Sequence, residues 1–222
     1  MKRRVIPSLA LAALFAAALA RAAEPGAVVL PKPDAAGTVP LERAIAQRRS
    51  VREYAPGALT LAEVSQLMWV AQGITGPDGK RATPSARAVY PLQVWLVAND
   101  VTGLAAGIYR YDPKEHALEP VAGGTRDSVP SAARGQASVQ HAAAVVAVVG
   151  DSVLAATKFR GNAERWLGME AGFVVQDVYL EATALGLGTV MVGGFLEPAA
   201  RAALGTPPGW QVLGLMPVGR RK

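Results

Sequence analysis

The chain has no cysteine and only two histidines in 222 residues. The missing cysteines exclude disulfides, thiol nucleophiles, cysteine-linked lipid and every thiolate-ligated metal site, so stability must come from packing. His116 and His141 have metal-ligand spacing neither to each other nor to a carboxylate, and both read as structural or surface residues. No Gly-x-Ser-x-Gly elbow and no Walker loop is present. Gly186-Leu187-Gly188 opens a Gly-x-Gly match, but it follows a helical pattern where the dinucleotide fingerprint must follow a strand.

A hydrophobic content of 51% over this length is enough for one well-filled core, and no composition shift divides the body. The first residues stand apart. Lys2, Arg3 and Arg4 precede an apolar stretch from Val5 to Ala20, and Ala20-Arg21-Ala22 offers small residues at cleavage spacing. Residues 1–22 therefore read as a secretory signal peptide, and the protein is expected to be exported, periplasmic or secreted. The alternative is a retained anchor, although the stretch is short of the ~20 residues that span a bilayer. Arg3-Arg4 with Val5 and Ile6 loosely resembles a twin-arginine signal; Pro7 and Ser8 depart from it and favour ordinary secretion. Four cations and no acid leave with the signal, so the formal charge falls from +6 to +2. So modest a charge argues against a nucleic-acid partner.

Residues 23–40 carry prolines and little periodicity, and read as an N-terminal arm or linker. From Leu41 the pattern tightens. Helices are expected over 41–47 and 61–71, the second with Thr60 as N-cap, Glu63 as its capping-box partner and Gly73 as its end. Strands are expected over 91–98, in a hairpin over 107–121 turning at Asp112-Pro113-Lys114, over the apolar run 142–149, and over 189–192 and 211–217. A short helix is expected over 198–204. Residues 163–185 form the longest element, apolar on nearly every face and capped by Gly186, so it must lie in a core or against another subunit. Acidic and basic residues interrupt it too often for a membrane span. Helices and strands intermix without a regular βαβ repeat, which predicts an α+β fold with helices covering a sheet.

Three segments could carry chemistry. Arg48-Arg49-Ser50-Val51-Arg52 places three guanidinium groups and a hydroxyl within five residues, enough to wrap a phosphate dianion. The same run also fits a solvated helix end whose cations favour the dipole. Arg220-Arg221-Lys222 would complete an anion pocket if the fold brought it there; otherwise it is a solvated tail. Pro84 to Leu92 is a small-residue loop entering a strand, and Thr189 to Phe195 runs into Gly193-Gly194, where uncovered N–H groups could meet a ring's polar edge or form an ordinary turn.

In this order the segments resemble the nitroreductase superfamily of FMN enzymes, over about residues 41–222. Arg48, Arg49, Ser50 and Arg52 match its opening Arg-Arg-Ser-x-Arg run. Pro84 to Leu92 matches the Pro-Ser-Ala-Gly-Ala-Leu-Tyr-Pro-Leu pattern of one branch, with Arg87 where glycine is usual and Val89 for leucine. Glu170-Ala171-Gly172 with Gln176-Asp177, Gly186 to Gly188, Gly193 to Phe195 and Pro217 to Arg220 match further motifs. The branch includes the thiazoline and oxazoline dehydrogenases, whose Lys-Tyr pair corresponds to Lys158-Phe159 here, without the phenol.

The resemblance implies an α+β nitroreductase-like fold, a central mixed sheet flanked by helices, and the long helix in a homodimer interface with FMN nearby. It implies phosphate and ribityl contacts from Arg48, Arg49, Ser50, Arg52 and Arg220, and ring contacts from Pro84, Ser85, Ala86, Gly193 and Gly194. Arg87 is a substrate-side candidate and Lys158 the one candidate for proton transfer. The activity implied is flavin-centred and ping-pong: a small donor reduces the flavin, and a small acceptor such as a nitroaromatic or quinone takes the electrons. A flavin-binding or scavenging protein without turnover, and an azoline dehydrogenase, are the alternatives.

Overall fold

Two apolar faces alternating along the central strands set the architecture of residues 26–222, which the computed structural model describes; residues 1–22, expected to be a signal peptide, and the first residues of the arm lie outside the described residues. In chain order the elements are β1 (Val28–Val29), α1 (Leu41–Gln47), β2 (Tyr54–Ala55), β3 (Leu59–Thr60), α2 (Leu61–Gln72), β4 (Leu92–Ala98), β5 (Val101–Thr102), β6 (Gly107–Asp112), β7 (Ala117–Pro120), α3 (Val129–Ala132), α4 (Ala137–Gln140), β8 (Ala144–Asp151), α5 (Ser152–Phe159), α6 (Ala163–Ala184), β9 (Leu187–Thr189), α7 (Glu197–Leu204) and β10 (Trp210–Arg221). The main sheet runs β1-β7-β6-β4-β8-β10-β2, with β9 also paired to β10.

Val94, Leu96 and Ala98 of β4 and Ala144, Val146 and Val148 of β8 point into one core, with α2 and α6. Trp95, Val97, Val145, Ala147 and Val149 point into the other, with α3 and α7. Both faces are covered, which is why β8 reads as an unbroken apolar run although its neighbours are antiparallel. The expected mixed sheet is antiparallel in its named strands; the parallel pairing is confined to β3 with β5 and to a bridge between Ser50 and Thr189.

The capping box of α2 is present: the Thr60 hydroxyl accepts from the Glu63 N–H, and the Glu63 carboxylate accepts from the Thr60 N–H at 2.7 Å. Gly186, at φ +70°, turns the chain out of α6 one residue past the C-cap Leu185, so β9 begins at Leu187, earlier than the expected strand. β10 continues to Arg221 because β9 and β2 flank its end. The helix α5 has no counterpart among the expected elements; Asp151 caps it, accepting from the Val153 and Leu154 N–H groups.

The arm is more than a linker. β1 extends the sheet beside β7, and Leu30 is buried. The Ser65 hydroxyl donates to the Pro31 carbonyl, while the His116 ring lies 2.7 Å from Ser65 Oγ and 2.8 Å from the Tyr111 hydroxyl. Burial pushes the His116 pKa down, which favours the neutral imidazole in this clasp on the arm.

Two glycines decide how the basic run meets the sheet. A Cβ on Gly188 would stand 2.7 Å from Val51 Cγ1, and one on Gly219 would stand 2.6 Å from Tyr54 Cγ. Their bare backbones let residues 50–54 lie flat on the ends of β9 and β10, where the Val51 N–H donates to Thr189 O at 2.9 Å and the Tyr54 hydroxyl donates to Pro217 O at 3.0 Å. Gly188→Ala should therefore cost roughly 1–3 kcal/mol through overpacking. Gly37→Ala, with no atom within 4 Å of the added carbon, should stay within about 0.5 kcal/mol of wild type. Denaturant unfolding checks both.

Candidate functional site

The basic run begins where α1 stops. Arg48 is the C-cap, its N–H donating to Ala44 O, and its guanidinium stacks 5.0 Å from the centre of the Tyr179 ring. Arg49 folds back on its own helix end, donating to Arg48 O at 2.7 Å and Ala46 O at 3.0 Å, which is the dipole-favouring role that such a run can also serve. Arg52 is exposed. Among the described residues no carboxylate pairs with Arg48, Arg49 or Arg52. Ser50, exposed between them, places Oγ 3.1 Å from the hydroxyl of the largely buried Tyr179. That hydroxyl accepts from the Met191 N–H at 2.7 Å, two residues before the exposed pair Gly193-Gly194. Gly194 O in turn accepts from the Gln136 side chain.

Arg220 does not join the run as a free cation. Its guanidinium donates to Ala58 O at 2.6 Å and to the Glu63 carboxylate at 2.9 Å. The charge expected on a ligand's phosphate is spent on tying β10 to the start of α2. Lys222 pairs with Glu53 at 2.8 Å.

Pro84 to Arg87 lies elsewhere, against the first half of α6. The Ala86 N–H donates to Glu170 Oε1 at 2.8 Å, and the Tyr90 N–H donates to Ser85 Oγ at 2.8 Å. Glu170 is 5% exposed, and burial raises its pKa against the opposing pull of the Ala86 and Ser85 hydrogen bonds. A cavity of about 300 Å³ opens here, walled by Pro84, Ala86, Trp166, Met169, Glu170 and Phe173. Arg87 has φ 57°, which accounts for the usual glycine at its position. Its guanidinium leaves the cavity, donates to Lys158 O at 3.2 Å and stands 6.0 Å from the Trp166 ring. The Lys158 side chain is exposed, while Phe159 is buried edge-on against Trp166 at 4.8 Å.

The expected site is therefore split within one chain. Arg48 to Arg52 and Gly193-Gly194 are linked through Tyr179; Pro84 to Ala86 are held by Glu170. Nine residues separate the two anchors on α6, which at about 100° per residue puts them on opposite sides of the helix, roughly 13 Å apart along its axis. Neither anchor belongs to the site residues that the sequence motifs single out. The available signal is a polar side chain among apolar neighbours on a largely buried helix, and such a group needs a partner when buried.

The chain thus combines an α+β sheet under helical cover with a basic run at one sheet end and a small-residue loop beside a long helix. The family model described as Nitroreductase family matches residues 45–220. A curated Methanocaldococcus jannaschii protein bearing the nitroreductase name is 36% identical over 184 residues, covering 82% of this chain and 92% of the relative. Among solved structures, a Ralstonia eutropha protein titled as a nitroreductase superposes with a TM-score of 0.79 at 25% identity, over 90% of this chain and 91% of its own. An Anabaena variabilis protein so titled gives 0.72 at 29% identity, over 82% of this chain and 38% of its longer one. The chain belongs to the nitroreductase family.

The Arg220–Glu63 pair has a pH signature. Burial alone would raise the Glu63 pKa, but the Arg220 and Thr60 hydrogen bonds outweigh it and hold the carboxyl below the usual range. A lowered folded pKa means the stabilisation is complete above the ordinary glutamate range and is lost as pH falls through the folded value. The thermal-midpoint gap between wild type and Glu63→Gln should be widest near pH ~7 and close below about pH 4. A gap that is independent of pH would contradict this.

Proposed function

We propose that the protein is an FMN-dependent oxidoreductase acting as a homodimer, passing electrons by a ping-pong cycle from a small donor to small acceptors such as nitroaromatics or quinones. Family membership supports a flavin-dependent oxidoreductase in general. The observation that carries the finer reading is the exposed Ser50 between Arg48 and Arg52, whose charges no carboxylate of the described residues neutralises. Three unpaired cations and a hydroxyl fit a phosphate dianion, which would be held by charge-assisted hydrogen bonds.

FMN, when bound, supplies the hydride and electron chemistry, and the protein supplies binding and orientation. Arg48, Ser50 and Arg52 would hold the phosphate, with Arg49 nearby but partly committed to its own helix end. The exposed backbone at Gly193 and Gly194 is open to a ring's polar edge. Pro84 to Ala86, fixed by Glu170, would form one wall of the ring site, with Trp166, Met169 and Phe173 excluding water. No side chain need act as acid or base in this cycle, consistent with the scarcity of histidine. Phe159, buried and without a phenol, offers no proton-transfer group, so the reading does not extend to azoline oxidation.

A second copy is part of the proposal because the two halves of the site sit on opposite sides of α6. The solvent side of that helix presents Arg165, Gly168, Met169, Gly172, Phe173 and Gln176, all exposed and spaced as one helical stripe. Met169 is 51% and Phe173 41% exposed, and Gly168 and Gly172 allow a partner helix close approach. Packing two such stripes would bring the loop of one copy to the phosphate grip of the other. Export, expected from residues 1–22, belongs to the same reading and argues for a donor other than a nicotinamide.

Purified protein reconstituted with FMN should absorb near ~450 nm. Arg48→Ala with Arg52→Ala should weaken FMN binding about a hundredfold or more, since each charge-assisted bond is worth roughly 1.5–3 kcal/mol. Unchanged affinity would return the run to a solvated helix end. Phe173→Glu should give monomer and lose FMN together, read by light scattering and absorbance. Double-reciprocal plots should be parallel, and intersecting lines would indicate a ternary complex. Reduction by dithionite alone, across a donor screen, would favour the flavin-binding protein without turnover.

A further inference from the structure

We infer that Tyr179 is the positioning residue of the phosphate grip: it fixes the Ser50 hydroxyl so that its proton faces outward, between Arg48 and Arg52. This rests on the FMN reading and adds a residue to it.

The argument is one of donor and acceptor accounting. Two polar atoms lie within hydrogen-bond distance of the Tyr179 oxygen, the Met191 nitrogen at 2.7 Å and Ser50 Oγ at 3.1 Å. The Met191 N–H can only donate, so it takes a lone pair of the phenol. The phenol proton then has one acceptor among these neighbours, Ser50 Oγ. The reverse arrangement, with Ser50 donating to Tyr179, would leave the proton of a hydroxyl on an 8% exposed residue without a partner, which is costly. Ser50 is exposed and can turn its own proton outward at no such cost.

The chain Met191 N–H to Tyr179 O–H to Ser50 Oγ thus ends on a hydroxyl whose own proton is left free to donate outward. Each bond in such a chain polarises the next. The Arg48 guanidinium over the Tyr179 ring holds the adjacent cation in register, and the Val51 N–H on Thr189 O fixes the backbone beside it. The same phenol joins the phosphate grip to the strand leading into Gly193-Gly194, so one side chain sets the spacing between the two parts of the site on its side of α6.

Riboflavin, which lacks the phosphate, separates this role from a structural one. Apo-protein would be titrated with FMN and with riboflavin by flavin fluorescence, in wild type, Tyr179→Phe, Ser50→Ala and the double variant. Tyr179→Phe should lose about fivefold in FMN affinity, lose distinctly less in riboflavin affinity, and shift the 31P resonance of bound FMN. The double variant should bind FMN no worse than Ser50→Ala alone. Equal losses for both flavins, additive losses in the double variant, or an unchanged FMN affinity would overturn the inference. If Tyr179→Phe does not fold, Ser50→Ala at its exposed position carries the comparison: undiminished preference for FMN over riboflavin would overturn it equally. Wild type that binds neither flavin would instead sink the FMN reading itself.

Discussion

Burial of α6 between the sheet and the chain's other helices forces its polar side chains to find partners. A buried hydroxyl or carboxyl without one costs on the order of 1–3 kcal/mol. Glu170 and Tyr179 meet that requirement with loop backbone, Ala86 on one side and Met191 on the other, and the Tyr179 hydroxyl also meets Ser50. The two segments best suited to touch a cofactor are therefore fixed to the same rigid helix. That explains how short loops with few contacts of their own can hold defined positions, the condition for a site built from backbone and small residues.

Most of the frame was legible because its signals are local. The Thr60 capping box, the unbroken apolar β8 and the all-round apolar α6 each follow from one short window of sequence. The missed elements were those whose stability is tertiary. The strand β1 exists because β7 offers an edge and His116, Ser65 and Tyr111 clasp the arm; two residues of valine carry no such signal. The helix α5 is announced only by Asp151, which equally well bounds a strand. On α6 the pattern predicts cover on nearly every face, by a core or by another subunit, and cannot tell which face takes which; the glycines with Met169 and Phe173 form the stripe that the single chain leaves exposed.

Charge in the candidate site was legible only as composition. Sequence offers two basic clusters of similar appearance, yet Arg220 is neutralised by Glu63 from 157 residues away while Arg48 and Arg52 meet no carboxylate among the described residues. A salt bridge of that separation leaves no local trace. Arg49 shows the converse, since its commitment to the carbonyls of its own helix end is what a helix terminus predicts. The helix-end reading holds for Arg49, and the phosphate reading is the one proposed for Arg48 and Arg52.

The Pro84 to Tyr90 loop shows where backbone strain is tolerated and what supports it. Arg87, Ala88 and Tyr90 have φ of 57°, 53° and 53°, conformations that cost a residue bearing Cβ roughly 1–2 kcal/mol each. Such strain persists only where surrounding contacts over-determine the chain. Here Glu170 holds the Ala86 N–H, Ser85 holds the Tyr90 N–H, Arg87 is pinned to Lys158 O, and Arg81 stacks 4.9 Å from the Tyr90 ring while donating to Leu92 O. A glycine at position 87 would relieve the backbone and remove the pin. Arginine there exchanges flexibility for a loop locked at both ends, and its guanidinium, held against Lys158 O and the Trp166 ring, adds no cation to the wall of the cavity.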